Sequence, residues 1–231
     1  MNYTAPHFPT SALIIIDVQN DFARSGAPAE VEGTEAILPN IARLLKTYRI
    51  LQLPVIHIVR LYRPDGSNVD LCRRAIIESG KRIVCPGMDG SEIPGELLPE
   101  TAPRLDHELL LQNGIQVLGP NETCIYKPRW GAFYQTPLHE YLQDLRVDTL
   151  VFCGCNFPNC PRTSIYEASE RDYRIVLVVD AISRSHERGL EELRSIGVNV
   201  MTVEEILRKA GEPVWRGNFA GSRYDKNEGI E

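Results

Sequence analysis

The sequence predicts an α/β protein with a single doubly wound, mostly parallel sheet and helices on both faces, a Rossmann-like three-layer arrangement. Two observations favour this fold class. Short apolar runs of strand length alternate along the chain with longer segments of helical periodicity, and such alternation gives right-handed crossovers that cover both sheet faces. No internal repeat, low-complexity tract or linker divides the chain. We therefore predict one domain over residues 1–231, with a core from about 11 to 210.

Seven strands and six helices are predicted in alternating order. Most strands are short runs rich in β-branched residues, and the helices repeat their apolar residues every three or four positions. The predicted strands are Ser11–Ile16, Val55–Val59, Ile115–Leu118, Glu122–Tyr126, Asp148–Cys153, Arg174–Val179 and Asn199–Val203. The predicted helices cover about 34–51, 69–79, 136–145, 160–172, 186–196 and 204–209.

Cap and turn residues set several boundaries. Thr34 is predicted to cap the first helix, and residues 119–121 to turn the chain between two strands. Four prolines and several glycines interrupt residues 81–113, where we expect loops and short helical turns. Such a long excursion usually forms the wall of a site or an oligomer contact. The tail, 211–231, is expected to be loosely ordered or to lie on a neighbouring subunit.

Composition disfavours several classes of partner. Asp and Glu outnumber Lys and Arg by 31 to 25, so the net charge is −6 and no nucleic acid partner is expected. The longest apolar runs have strand length, so no membrane span is predicted. The first residues show no signal sequence, which favours a cytoplasmic location. The 6 cysteines are too scattered for a disulfide scaffold and are expected to be reduced.

Three chemically useful residues are predicted at one edge of the sheet. Asp17 follows the first strand, Lys127 follows the fourth, and Cys160 begins a helix after the fifth. Ligands of such sheets bind outside the carboxyl ends of the strands. Taken alone, each residue has an ordinary structural explanation, as a turn cap, a solvated charge or a core thiol. Their coincidence at this edge indicates a site.

The three side chains suit nucleophilic hydrolysis of an amide. A helix N-terminus and the Lys127 cation are expected to lower the pKa of the Cys160 thiol. Asp17 is placed to take the thiol proton and to return it to the departing amine. The turn over 154–159 would aim backbone N–H groups at the oxygen that becomes negative. These residues predict a cysteine hydrolase that cleaves a C–N bond.

Three motifs carry a family resemblance: LIIIDVQNDF at 13–22, KPRWGAFYQTPL at 127–138 and GCNFPNCPRTSIYEASERDYRIVLVVDAIS at 154–183. With these motifs the sequence resembles the isochorismatase-like cysteine hydrolases, which include nicotinamidases and N-carbamoylsarcosine amidohydrolase. The similarity runs from about Ser11 to Leu207. It implies the isochorismatase-like fold and cleavage of an amide or ureido bond of a small molecule through a thioester.

The resemblance also implies roles for individual residues. Asp17, Lys127 and Cys160 would form a catalytic triad. The peptide bond between Cys155 and Asn156 would be cis, and the N–H groups of Asn156 and Cys160 would form the oxyanion hole. By the same analogy, we expect a homodimer or homotetramer.

This sequence departs from the family pattern in two places. Residues 155–158 read Cys-Asn-Phe-Pro where small residues and a threonine are commoner, and Pro161 follows the nucleophile. Nicotinamidases carry an Asp-x-His pair and a further His near the end of the second strand. Residues 57–63, HIVRLYR, lack that pair, so we predict no metal and no cofactor. His57 is expected to be a core or lining residue.

The predicted substrate pocket combines aromatic walls with a cation. Residues beside the motifs are expected to line it: Phe22, Arg60, Trp130, Phe133 and Phe157. Arg60 or Arg63 is available to bind an anionic group, but Arg60 is equally suited to a structural ion pair.

Two other functions stay open. A non-catalytic binding or assembly protein could keep this fold, and a thiol-redox protein could use Cys155 and Cys160. A dinucleotide-binding dehydrogenase is disfavoured, because the turn after the first strand has no glycine-rich phosphate loop.

Overall fold

The computed structural model describes residues 2–210, which contain a seven-stranded sheet. The strands are β1 (Ser11–Ile16), β2 (Val55–Val59), β3 (Ile115–Gly119), β4 (Glu122–Tyr126), β5 (Thr149–Gly154), β6 (Arg174–Ile182) and β7 (Asn199–Met201). Their spatial order is β3-β4-β2-β1-β5-β6-β7. The edge strand β3 pairs antiparallel with β4, and the other neighbouring strands pair in parallel. The predicted fold class is confirmed, and the predicted tail, 211–231, lies outside the described residues.

Helices cover both faces of this sheet. They are α1 (Asn20–Ala23), α2 (Thr34–Ile50), α3 (Leu71–Glu78), α4 (His107–Leu111), α5 (Leu138–Asp144), α6 (Cys160–Ser169), α7 (Glu187–Ser195) and α8 (Val203–Ala210). Along β1, Leu13 and Ile15 pack into the core under α2 and α8, whereas Ile14 and Ile16 pack into the core under α5, α6 and α7. Successive side chains of a strand point to opposite faces, so a strand covered on both faces is apolar throughout.

The start of α2 differs from the prediction. Gly33, with φ of 82°, is the residue before the helix, and Thr34 is the first helical residue. The Thr34 hydroxyl donates to Ser183 Oγ at 3.0 Å and does not cap the helix. A buried partner across the molecule therefore replaces the predicted local hydrogen bond.

The irregular excursion over 81–113 packs behind the loop that follows β1. It contains short 3-10 turns at Asp89–Ser91 and Gly95–Leu97 as well as α4, in agreement with the expected short helical turns. Its Val84 N–H donates to Asp21 Oδ2 at 2.6 Å, and Gln19 Nε2 donates to the Ser91 carbonyl at 2.7 Å. The excursion therefore holds the loop of residues 17–23 in place.

The sheet is built outward from β1. The chain adds β2 and β4 on one side of β1, then crosses to the other side and adds β5, β6 and β7. Such a reversal of direction leaves a crevice at the carboxyl ends of the central strands. Within residues 2–210, no helix is long and apolar enough to span a membrane.

Candidate active site

Four adjacent strands end in residues that meet at the carboxyl edge of the sheet. In the order β4-β2-β1-β5, the first residues beyond the strands are Lys127, Arg60, Asp17 and Cys155. The backbone ladder continues through them, because the Asp17 N–H donates to the Ile58 carbonyl at 2.8 Å and the Lys127 N–H to the Val59 carbonyl at 3.0 Å. The strands therefore fix where these side chains start.

Asp17 and Lys127 form a buried ion pair at this edge. Lys127 Nζ lies 2.8 Å from Asp17 Oδ2, and the two side chains are 0% and 5% exposed. Lys127 Nζ also donates to the Arg129 carbonyl at 3.2 Å. Asp17 adopts a positive φ of 51°, a conformation that Asp tolerates better than most residues. Its second oxygen, Oδ1, is buried and has no hydrogen-bond partner among the described residues.

The turn between β5 and α6 approaches β1 closely. Gly154 has φ of 115°, and a Cβ on it would lie 2.3 Å from the Ile16 carbonyl oxygen. Only glycine fits this approach. The Cys155–Asn156 peptide bond is cis, as the family resemblance implies.

Two peptide N–H groups of this turn have no acceptor among the residues that the structure describes. The Cys155 N–H donates to Ile16, the Phe157 N–H to Ser183, and the Asn159 N–H to Asn156. Proline at 158 has no N–H. The N–H groups of Asn156 and Cys160 are the remaining donors, and neither has an acceptor within the described part of the chain. They are the residues that the resemblance implies for an oxyanion hole.

Cys160 is the first residue of α6, as predicted, but its thiol is not acidic. Burial and the neighbouring Asp17 carboxylate together raise the pKa of Cys160 to about 12, and the charges of Lys127 and Arg60 oppose this only in part. The expectation of a lowered pKa was wrong, because desolvation and a neighbouring negative charge outweigh the cations. At neutral pH the resting thiol keeps its proton.

A pocket of about 310 Å³, counted with its open mouth, lies in front of Asp17 and Cys160. It is lined by Asp17, Phe22, Val31, Arg60, Tyr62, Arg73, Trp130, Cys155, Asn156, Asn159 and Cys160. Three predicted lining residues, Phe22, Arg60 and Trp130, are therefore in place.

Arg60 forms the structural ion pair that the sequence left open, and it also lines the pocket. Its Nη2 donates to Asp70 Oδ2 at 2.5 Å, so Arg60 has a structural ion pair. Its Nη1 is buried without a hydrogen-bond partner among the described residues, and the side chain lines the pocket. Gln19 fixes the Arg60 backbone by accepting from its N–H and donating to its carbonyl. Arg63, the other cation considered, is exposed and does not line the pocket.

Phe133 and Phe157 do not line the pocket, which corrects their predicted role. Phe157 is fully buried beneath the turn and packs edge-on against His186, with ring centroids 5.5 Å apart. Phe133 is 5% exposed and lies in the core with Tyr173. Proximity to a motif in sequence did not give the side-chain direction, because Phe133 packs against Tyr173 and Phe157 packs against His186.

The structure adds pocket residues that the sequence did not indicate. Tyr62 follows β2 by three residues, and its hydroxyl donates to Asp70 Oδ2 at 3.1 Å. Arg73 belongs to α3, which carried no motif, and Val31 and Asn159 complete the wall. The sequence offered one indication that Tyr62 lies in the pocket. Side chains two residues apart in an extended segment point to the same face, so Tyr62 would be expected to share the face of Arg60.

His57 lies away from the pocket in the core. Its Nε2 is 2.8 Å from Glu122 Oε1, and both side chains are buried. The interpretation of His57 as a core residue is confirmed. Within residues 2–210, no three His, Cys, Asp or Glu side chains are grouped so that they could hold a metal ion.

Comparison with known proteins places this geometry in a family. A family model described as the isochorismatase domain matches residues 11–205. The chain belongs to the isochorismatase family. One relative, a probable inactive nicotinamidase of Arabidopsis thaliana, is 31% identical over 87% of this chain and 96% of its own length. Another, N-carbamoylsarcosine amidase of an Arthrobacter species, is 28% identical over 74% of this chain and 58% of its own.

Solved structures agree with this family membership. The crystal structure of an isochorismatase family protein from Desulfovibrio vulgaris has a TM-score of 0.75 and 33% sequence identity. The match covers 88% of this chain and 99% of that protein.

Proposed function

We propose that this isochorismatase family protein is a cysteine-dependent hydrolase that cleaves a C–N amide or ureido bond of a small molecule through a thioester. The observation that carries the proposal is the buried Asp17–Lys127 pair beside a protonated thiol. The peptide N–H groups of Asn156 and Cys160, which have no acceptor within residues 2–210, support it. The relative named as an amidase acts on an N-carbamoyl compound, which is the same class of bond.

The first half of the reaction forms the thioester. Cys160 Sγ attacks the carbonyl carbon while its proton passes to the Asp17 carboxylate, so a C–S bond forms without a free thiolate at rest. The carbonyl π electrons move to oxygen, where the N–H groups of Asn156 and Cys160 stabilise the negative charge. When the C–N bond breaks, Asp17 returns the proton to the departing nitrogen. Lys127 stays charged and holds the Asp17 carboxylate in position.

The second half of the reaction hydrolyses the thioester. Asp17, again a carboxylate, takes a proton from water as the water oxygen attacks the acyl carbon. The same two N–H groups hold the new oxyanion. Collapse of this intermediate breaks the C–S bond, the sulfur regains the proton from Asp17, and the acid product leaves.

A screen for ammonia release tests the proposal. Small amides, ureas and carbamoyl compounds would be incubated with the wild type, with Cys160→Ala and with Cys72→Ala. Cys72 is exposed, so it controls for loss of a thiol outside the pocket. We expect Cys160→Ala to abolish release and Cys72→Ala to leave it unchanged. Mass spectrometry of the wild type should show the acyl group on Cys160. Equal turnover by wild type and Cys160→Ala would contradict the proposal.

A second candidate is a non-catalytic binding protein, which the Arabidopsis relative named as probably inactive favours. It predicts that the compounds of the screen bind wild type and Cys160→Ala alike and that none is hydrolysed. The thiol-redox alternative keeps one supporting observation, since Cys155 and Cys160 line the same pocket. A reversible disulfide between them under mild oxidant, without ammonia release, would favour it.

The oligomeric state and the cellular location of the protein are two further predictions. Size-exclusion chromatography with light scattering would distinguish the proposed homodimer or homotetramer from a monomer. Localisation of a tagged chain would test the cytoplasmic prediction.

A further inference from the structure

Arg73 is a pocket cation that has no carboxylate partner in the described part of the chain. It lies in α3, is half-buried and lines the pocket. Its guanidinium lies over two aromatic rings, 5.9 Å from the centroid of Phe22 and 5.5 Å from that of Trp130. Within residues 2–210, no Asp or Glu forms an ion pair with Arg73, and its guanidinium has no hydrogen-bond acceptor. Aromatic rings orient a guanidinium but do not neutralise its charge.

Arg60 brings a second incompletely satisfied guanidinium to the same ring. Its carbon Cζ lies 5.5 Å from the Trp130 centroid, the same distance as that of Arg73. Its side chain is 2% exposed, and Nη1 has no partner among the described residues. A buried donor without an acceptor is costly unless a ligand supplies one.

The charges around the pocket leave one cation uncompensated. Lys127 is paired with Asp17 and Arg60 with Asp70. Arg73 then adds a positive charge over the same Trp130 ring and has no counter-ion among the described residues. Because both guanidinium groups lie over the Trp130 ring, an anion that contacts both would be stabilised by two positive charges.

We propose that Arg73 and Nη1 of Arg60 form a subsite for a carboxylate of the substrate, with Trp130 as its floor. The proposal deepens the proposed function and rests on it: the substrate would be a small amide or ureido acid. Its C–N bond would lie at Cys160 and its carboxylate at Arg73. Two oxygens of one planar carboxylate suit two separate guanidinium donors, and the pocket leaves little room for a larger anion.

Matched acids and neutral analogues test this subsite. N-carbamoylglycine and its homologues with one or two further methylene groups would be compared with the same ureas carrying a hydroxymethyl group in place of the carboxylate. For the acid that is best hydrolysed, we expect Arg73→Gln to raise KM by about 10- to 100-fold, the usual effect of losing a charge-assisted hydrogen bond. The value of kcat should change little, and the neutral analogue should be unaffected.

Two controls separate the subsite from a general charge effect. Arg63→Gln removes the same charge from an exposed residue outside the pocket and should change neither substrate. Arg73→Lys keeps the charge without the planar fork and should recover part of the loss. An equal KM for acid and neutral analogue in wild type and Arg73→Gln would overturn the subsite.

A binding experiment distinguishes failure of the subsite from failure of the proposed function. Calorimetric titration of Cys160→Ala with the acids needs no turnover. Binding that Arg73→Gln weakens, together with no hydrolysis by the wild type, would keep the subsite and refute the hydrolase. Hydrolysis of neutral amides with no effect of Arg73→Gln on any acid would refute the subsite and keep the hydrolase.

Discussion

Opposite edges of the sheet each hold a buried carboxylate, Glu122 where β4 begins and Asp17 just beyond β1, and the two carboxylates are satisfied very differently. At the amino end, Glu122 Oε2 accepts from Arg49 Nε at 2.8 Å. Its Oε1 accepts from Arg49 Nη2 and pairs with His57 Nε2, both at 2.8 Å. Both oxygens are therefore used, as expected for a buried charge that serves stability.

The carboxyl edge of the sheet, by contrast, has charged side chains with unpartnered atoms. Asp17 Oδ1, Arg60 Nη1 and Asp70 Oδ1 are buried without partners among the described residues. Natural proteins satisfy most buried polar atoms, so a group of unsatisfied atoms at one edge requires an explanation. Among the described residues, the unpartnered atom near the amino edge is the neutral hydroxyl oxygen of Thr123, whereas the unpartnered atoms at the carboxyl edge belong to charged groups. We propose that a substrate completes the carboxyl edge.

The largest expected effect is the loss of turnover when the Asp17 carboxylate, at the carboxyl edge of the sheet, is replaced by a neutral amide. Asp17→Asn keeps the size of the side chain but cannot accept the Cys160 proton. Turnover should fall by roughly 10²- to 10⁴-fold, as is usual when a general base is lost. Ammonia release per folded molecule is the measurement. The variant should also lose stability, because Lys127 would stay buried without its counter-charge. Unchanged turnover would assign Asp17 to structure alone.

The matched substitution at the amino edge of the sheet should lower stability and leave turnover unchanged. Glu122→Gln removes one charge from a carboxylate of similar burial and leaves a single acceptor oxygen for Arg49 and His57. We expect the free energy of unfolding to fall by about 2 kcal/mol, the range for hydrogen bonds to a charged group. Urea denaturation measures this, while turnover per folded molecule should stay at the wild-type value. A large loss of turnover would show that the two ends are coupled.

The sequence predicted the layers of the fold well because they depend on periodic patterns. A strand such as β1, Ser11–Ile16, must be apolar on both faces, and α2 must carry an apolar stripe. These patterns fixed most strands to within a residue or two. Local capping was less predictable, since Thr34 bonds to Ser183, which is 149 residues away.

The candidate site was predictable only where it follows directly from strand ends. Asp17 and Lys127 each follow a strand, and the sheet alone brings them together. Arg73 was not predictable, because it reaches the pocket from a helix whose position depends on tertiary packing. The direction of the Cys160 pKa shift also required the structure, since local sequence shows the helix start but not the burial that opposes it.

The smallest expected effect is the pH dependence of the amino end. Burial tends to raise the pKa of Glu122, but hydrogen bonds and charge from Arg49 and His57 outweigh it, and the pKa is lowered. The folded protein thus keeps Glu122 ionised at a pH where the unfolded chain has begun to bind a proton. Its contribution to stability is therefore complete above the unfolded pKa, about 4.3, and is lost as pH falls through the folded value.

Comparison of wild type with Glu122→Gln isolates this contribution from the other carboxylates. Urea denaturation at several pH values between about 5.5 and 3 should show a stability difference that is constant at the upper end and shrinks as the pH falls below about 4.3. The variant has no carboxylate to protonate at this position, so its own pH dependence should be the shallower of the two. A difference that stayed constant to pH 3 would mean that Arg49 and His57 stabilise the charged form no better than water does. The contrast between the two ends would then rest on geometry alone.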